Sequence, residues 1–322
     1  MRMRISGLAW MTAAICFVRL GCGFGQISPT QDDDRSSHVV KFIQVDKDVF
    51  LEVLDWGGSG RPLVLLAGAN LSAHKYDTFL VPKLIGTYRV YGITRRGFGK
   101  SSAPESGYLA DRLGDDVLAV IDALKLDHPV LVGHSIAGQE LSSIGSRHPE
   151  KVAGLIYLDA INSYSFYQPA DLNALSVDFH ELRRKLEKLQ KGGISRYQLF
   201  QELLEIDLPL FRKDLEREQE DLRKSGLEHF VFGPFDPPGN PDLTAGIQRY
   251  TAVKVPVLAI CAGQSNAAIQ AFWEKWKPVV ERSAPSAKFV ILPDASHLIF
   301  VSNEEEVLRE MNAFIAGLNK LP

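Results

Sequence analysis

From Val39 onward, short apolar runs alternate with stretches in which apolar residues recur every three or four positions. "HVVKFIQVDKDVFLEVLDWG" reads as two strands around a turn, and "RPLVLLAG" as a short buried strand. "YRVYGIT" is a further strand that runs into the turn-rich "RRGFGKSS". Over residues 111–124, Leu113, Val117, Val120, Ile121 and Leu124 fall on one helical face. "HPVLVGHS" is a strand, "AGQELSSIGSRH" a helix and "VAGLIYLDA" another strand. Towards the end come "VPVLAICAG", "KFVILPDASH" and a closing helix around Glu304–Leu318. This alternation predicts an α/β protein: a mostly parallel central sheet with helices on both faces.

Between Asp159 and Val255 the rhythm changes. Leu172, Leu175, Phe179, Leu182, Leu186 and Leu189 recur at helical spacing, with Arg, Lys and Glu between them. A second charged helical stretch runs from Leu199 to Leu222 and is expected to break near Pro209. The Pro/Gly-rich loop "HFVFGPFDPPGNPD" follows and carries Phe230, Phe232 and Phe235. The pattern is too short and too Pro-broken for a coiled coil. It reads as a helical insertion, residues 161–249, lying over one edge of a core formed by 39–160 and 250–322. The three phenylalanines fit either an apolar ligand or the insertion's own core.

The N-terminus follows another logic. Arg2 and Arg4 precede an apolar stretch from Ile5 to Val18, small residues follow, and the polar segment 26–37 comes next. That order predicts a signal peptide over residues 1–25, with the mature chain beginning near Gln26 and exported to the periplasm or beyond. A membrane span needs about 20 apolar residues, so none is expected in the mature chain. Cys22 resembles a lipoprotein site only faintly, because Arg19 stands where such a site wants an apolar residue.

Composition narrows the function further. With 322 residues and 45% hydrophobic content the chain can bury a large core. A formal net charge of −3 and the absence of a long basic run argue against a nucleic-acid partner. Of three cysteines, Cys16 and Cys22 lie in or beside the expected signal, which leaves Cys261 alone. No disulfide, metal site or cofactor is expected from them. The partner expected is a small-molecule substrate.

One stretch carries chemistry. "VLVGHSIAGQE" runs a strand through Gly133-His134-Ser135-Ile136-Ala137-Gly138 into a helix. A strand–turn–helix this tight forces the serine into a strained conformation, pushes its hydroxyl outward and aims the helix N-terminus at the reacting atom. Bulk at Gly133, Ala137 or Gly138 would clash. Ser135 is therefore the candidate nucleophile.

At this point the chain resembles the α/β-hydrolase family from about Val39 to its C-terminus, with the insertion in the position of that family's cap. The stretches that carry the likeness are "LLAGANLSAHKYD", "GITRRGFGKSSAP", "VGHSIAGQEL" and "LPDASHLIF". The resemblance implies a base at His297, which follows the last strand. It implies an oxyanion hole from the Ile136 amide and one in the loop after "LVLLAG", with Ala69 preferred and Asn70 next. Of the other histidines, His74 lies near that loop and could line the pocket; His134, next to Ser135, should point away from it.

The family also places an Asp after "VPVLAI", but "CAGQSNAAIQAFW" holds no acid between Cys261 and Trp273. Gln264 or Asn266 could orient an imidazole but not neutralise imidazolium. Asp159, which ends "LIYLDA", is the substitute expected, since some relatives draw their acid from that strand. Asp294 is the further candidate. The reading that results is a serine hydrolase cleaving an ester or related acyl bond of a small apolar substrate. A non-catalytic ligand-binding protein and a peroxidase-like or carbon–carbon-cleaving hydrolase stay open as alternatives.

Overall fold

The computed structural model describes residues 36–69, 71–161, 165–166, 185–186, 195–224, 250, 252–263 and 267–318. The expected export segment, most of the insertion with its phenylalanines, and Asn70, Gln264 and Asn266 lie outside the described residues.

Eight strands are described: β1 (Val39–Asp46), β2 (Val49–Gly57), β3 (Pro62–Leu66), β4 (Arg89–Ile93), β5 (Val130–His134), β6 (Gly154–Leu158), β7 (Val257–Gly263) and β8 (Lys288–Pro293). They form one sheet in the order β1-β2-β4-β3-β5-β6-β7-β8. β2 runs antiparallel to β1 and β4, and every other neighbouring pair is parallel. The described helices with assigned bounds are α1 (Val81–Leu84), α2 (Ala110–Ala123), α3 (Gly138–Arg147), α4 (Arg196–Glu202), α5 (Leu208–Lys224), α6 (Ala267–Ser283), α7 (Ile299–Ser302) and α8 (Glu304–Leu318).

The apolar strand runs are continuous because both faces of the sheet are covered. Val64, Leu66, Leu131, Leu155, Tyr157, Val257 and Ala259 pack with apolar residues of α2, α3 and α6. Their neighbours Leu63, Leu65, Val130, Val132, Ile156, Leu158 and Leu258 pack with α1, α7 and α8 on the other face. Side chains alternate across a strand, so each run feeds two cores. A fully buried Leu, Ile or Val contributes about 1.5–3 kcal/mol, which makes this double layer the main stabilising element.

Pro209 does not break the second helical stretch. A π turn at Leu203–Asp207 joins α4 to α5, and the Leu208 amide donates to the Leu203 carbonyl five residues back. The wider turn accommodates a proline that has no N–H to give and needs room for its ring. Lys185 reaches this turn, with Nζ 2.7 Å from Asp207 Oδ2 and 2.5 Å from Glu202 Oε1.

Candidate active site

The parallel strands bring four segments to their carboxyl edge, where open α/β sheets place their ligands. They are the loop after β3, the turn from β5 into α3, the end of β6 and the loop after β8.

Ser135 sits in the second of these with a φ of +54°. A non-glycine residue in that region costs about 1–3 kcal/mol and is held there only by its surroundings. All five residues of β5 are buried, and α3 begins directly after the turn. A Cβ at Gly138 would overlap Ser165 Oγ and the Ala160 carbonyl, so α3 can start where it does only with glycine there.

Asp159 also has a positive φ, +46°, which turns its carboxylate across the ends of β6 and β7. Its amide donates to the Ile260 carbonyl at 2.7 Å, and its Oδ1 accepts from the Ala262 amide at 2.9 Å. The other oxygen, Oδ2, lies 2.6 Å from His297 Nδ1. His297 Nε2 in turn lies 2.9 Å from Ser135 Oγ. With Nδ1 protonated toward the carboxylate, Nε2 is left to accept from the serine hydroxyl. Ser135, His297 and Asp159 thus form one hydrogen-bonded series.

Asp294 does not join it. Its φ is +54° and it is exposed in the turn that leaves β8. His74 does not open onto the site: it is buried, 3.4 Å from Glu52 Oε1 and edge-on to His38. His128 lies in an exposed turn beside Asp127, and His148 caps the end of α3. Cys261 is a buried free thiol, and burial together with the Asp159 charge holds it protonated well above the usual thiol range. Among the described residues no set of three His, Cys, Asp or Glu side chains converges as a metal site.

The loop after β3 presses on the elbow. A Cβ at Gly68 would lie 2.6 Å from His134 Nδ1 and 3.2 Å from Ser135 Cβ, so the backbone can come this near only as glycine. Ala69 follows directly and is exposed, whereas Ile136 is buried at the head of the elbow turn.

His134 is the residue sequence reasoning passed over. Its Nε2–H donates to the His297 carbonyl at 2.9 Å, and the two rings lie 4.7 Å apart. Phe300 also packs edge-on with the His134 ring, centroids 5.1 Å apart. Burial, then the neighbouring His297, lowers its pKa to about 4. A proton on Nδ1 would face Gly68 with no acceptor among the described residues, so the ring stays neutral and clamps the His297 loop. Only its place beside the nucleophile could have flagged it.

With this geometry in place, the comparison with known proteins is decisive. Residues 63–310 match the model of the alpha/beta hydrolase family. The chain belongs to that family. Among alpha/beta hydrolases it is 33% identical over 135 residues to a non-heme chloroperoxidase of Streptomyces lividans, across 41% of this chain and 49% of that protein. It is 23% identical over 270 residues to a 2-(acetamidomethylene)succinate hydrolase of Mesorhizobium japonicum, across 80% of this chain and 89% of the relative. The chain spans about half or less of the length of the haloperoxidase-type relatives it matches. The crystal structure of a bromoperoxidase from Bacillus anthracis superposes with a TM-score of 0.57 at 21% identity, covering 86% of this chain and 100% of that one. That likeness shows the fold.

Proposed function

We propose that this hydrolase-family protein cleaves a carboxylic ester or related acyl bond through an acyl-enzyme on Ser135. The observation that carries the reading is the Ser135–His297–Asp159 series, with contacts of 2.9 and 2.6 Å. Ser135 Oγ attacks the carbonyl carbon while His297 Nε2 takes its proton. The Asp159 carboxylate offsets the charge on the imidazolium. The Ile136 and Ala69 amides receive the oxyanion. His297 then protonates the leaving alcohol, and the same residues activate the water that releases the acid.

Labelling with a fluorophosphonate and assaying a series of p-nitrophenyl esters of graded chain length tests this. Label on Ser135, lost in Ser135→Ala together with turnover, is the expected result. A folded protein that takes no label and turns over no ester would instead be a ligand-binding member of the family.

The likeness to proteins named haloperoxidases favours one second reading, in which hydrogen peroxide replaces water at the same acyl-enzyme and releases a peracid. Ester turnover in the presence of peroxide, with the peracid measured, separates the two.

A further inference from the structure

The reading above needs two amides, on different elements, at a fixed separation. Ala69 belongs to the loop after β3, and Ile136 to the turn after β5. One buried side chain touches the flanks of both. Arg95, just past β4, donates from Nη2 to the Ala67 carbonyl at 3.0 Å and from Nε to Glu140 Oε1. Ala67 stands two residues before Ala69, and Glu140 stands in the first turn of α3, just after Ile136. The preceding carbonyl, of Leu66, is held at 2.9 Å by the Tyr76 hydroxyl. Successive peptide planes entering the loop are therefore tied by side chains.

The pair is a poor device for stability alone. Arg95 and Glu140 side chains are 6% and 3% exposed, and desolvation of two buried charges offsets much of their attraction. Arg95 Nη1 and Glu140 Oε2 are buried without a hydrogen-bond partner among the described residues. The adjacent Arg96 differs: it grips Asp116 of α2 with two bonds of 2.6 Å and reaches the Ser106 carbonyl, and among the described residues it makes no hydrogen bond to either amide-bearing segment.

We propose that Arg95, anchored by Glu140, is a positioning residue that sets the separation of the Ala69 and Ile136 amides. The inference rests on the serine-hydrolase reading. Oxyanion donors work within about 2.7–3.1 Å of the oxygen, so a small drift of the loop falls on the transition state more than on substrate binding.

The test is Arg95→Met/Glu140→Leu, an apolar replacement that a buried pair often tolerates without loss of fold. Ester turnover should fall about 10–100-fold, with KM changed by no more than about twofold. Amide hydrogen exchange over residues 67–71 should quicken. Arg95→Lys, which can reach one partner but not both, should lie between, and it carries the test if the double variant does not fold. Arg96→Met/Asp116→Leu is the control and should keep wild-type kcat. Wild-type turnover in the Arg95 variants, or an equal loss in the control, overturns the proposal. If the wild type neither hydrolyses esters nor takes a fluorophosphonate, the serine-hydrolase reading fails. Exchange then decides the tie: faster exchange at 67–71 supports it and unchanged exchange overturns it.

Discussion

Asp159 holds three bonds at once: its amide to Ile260, Oδ1 to Ala262 and Oδ2 to His297. Two of these are structural and would survive loss of the charge. Asp159→Asn should therefore keep its fold while losing the carboxylate proposed to offset the imidazolium. We expect turnover to fall by up to about 10⁴-fold, with the melting temperature close to wild type. Steady-state kinetics and a thermal melt check this, with Asp294→Asn and Gln264→Ala as controls that should stay active. A crippled Asp294→Asn beside an active Asp159→Asn would move the acid to the His297 loop.

The same scale shows what the chain's pattern could and could not reveal. Ser135 was readable because its whole motif is local: strand, small residues and helix are contiguous. Asp159 was reached through the family resemblance, which leaves the usual acid position empty and offers the end of this strand instead; 138 residues separate it from His297, so no local pattern joins the two. His134 was not readable, because its partner is a backbone carbonyl 163 residues away. A side-chain pattern carries no signal for that acceptor.

At the scale of elements, the strands and core helices appear where apolar periodicity puts them. That signal is strong because each strand feeds two cores and each helix one. Pro209 misled because local propensity prices a proline against an α turn, while a π turn of one extra residue absorbs it. Contact between elements matters more for the site. The Gly68 backbone lies against both His134 and Ser135, so Gly68→Ala forces the loop after β3 away from the elbow. Overpacking of this kind costs about 1–3 kcal/mol. The displaced loop should also cut kcat by about 100-fold, as a misplacement near 1 Å can. Urea unfolding and ester kinetics on one preparation would separate the two effects. Unchanged kcat would mean that the loop does not serve the reaction.

For the whole molecule, His134 links stability to pH. Its ring titrates near the ordinary 6.5 when unfolded and at about 4 when folded, because burial opposes its charge. Between those values the unfolded chain holds the extra proton, so stability rises with pH. The contribution is complete above about pH 6.5 and is lost as pH falls toward 4. Comparing wild type with His134→Gln by urea unfolding at pH 7.5 and 4.5 should show their difference move by about 2–3 kcal/mol. A constant difference would mean that the ring is not held neutral.

The parallel sheet has a practical side. Every group assigned to the reaction lies beyond the carboxyl ends of β3, β5, β6 and β8, whereas Lys125, Asp127 and His128 form an exposed turn before β5. Five strand residues, about 17 Å, separate that turn from Ser135. A tether placed there would present the protein to its medium with the candidate site outward. Immobilised on a resin or fused to a carrier at that turn, the protein should keep the accessibility to substrate it has when free.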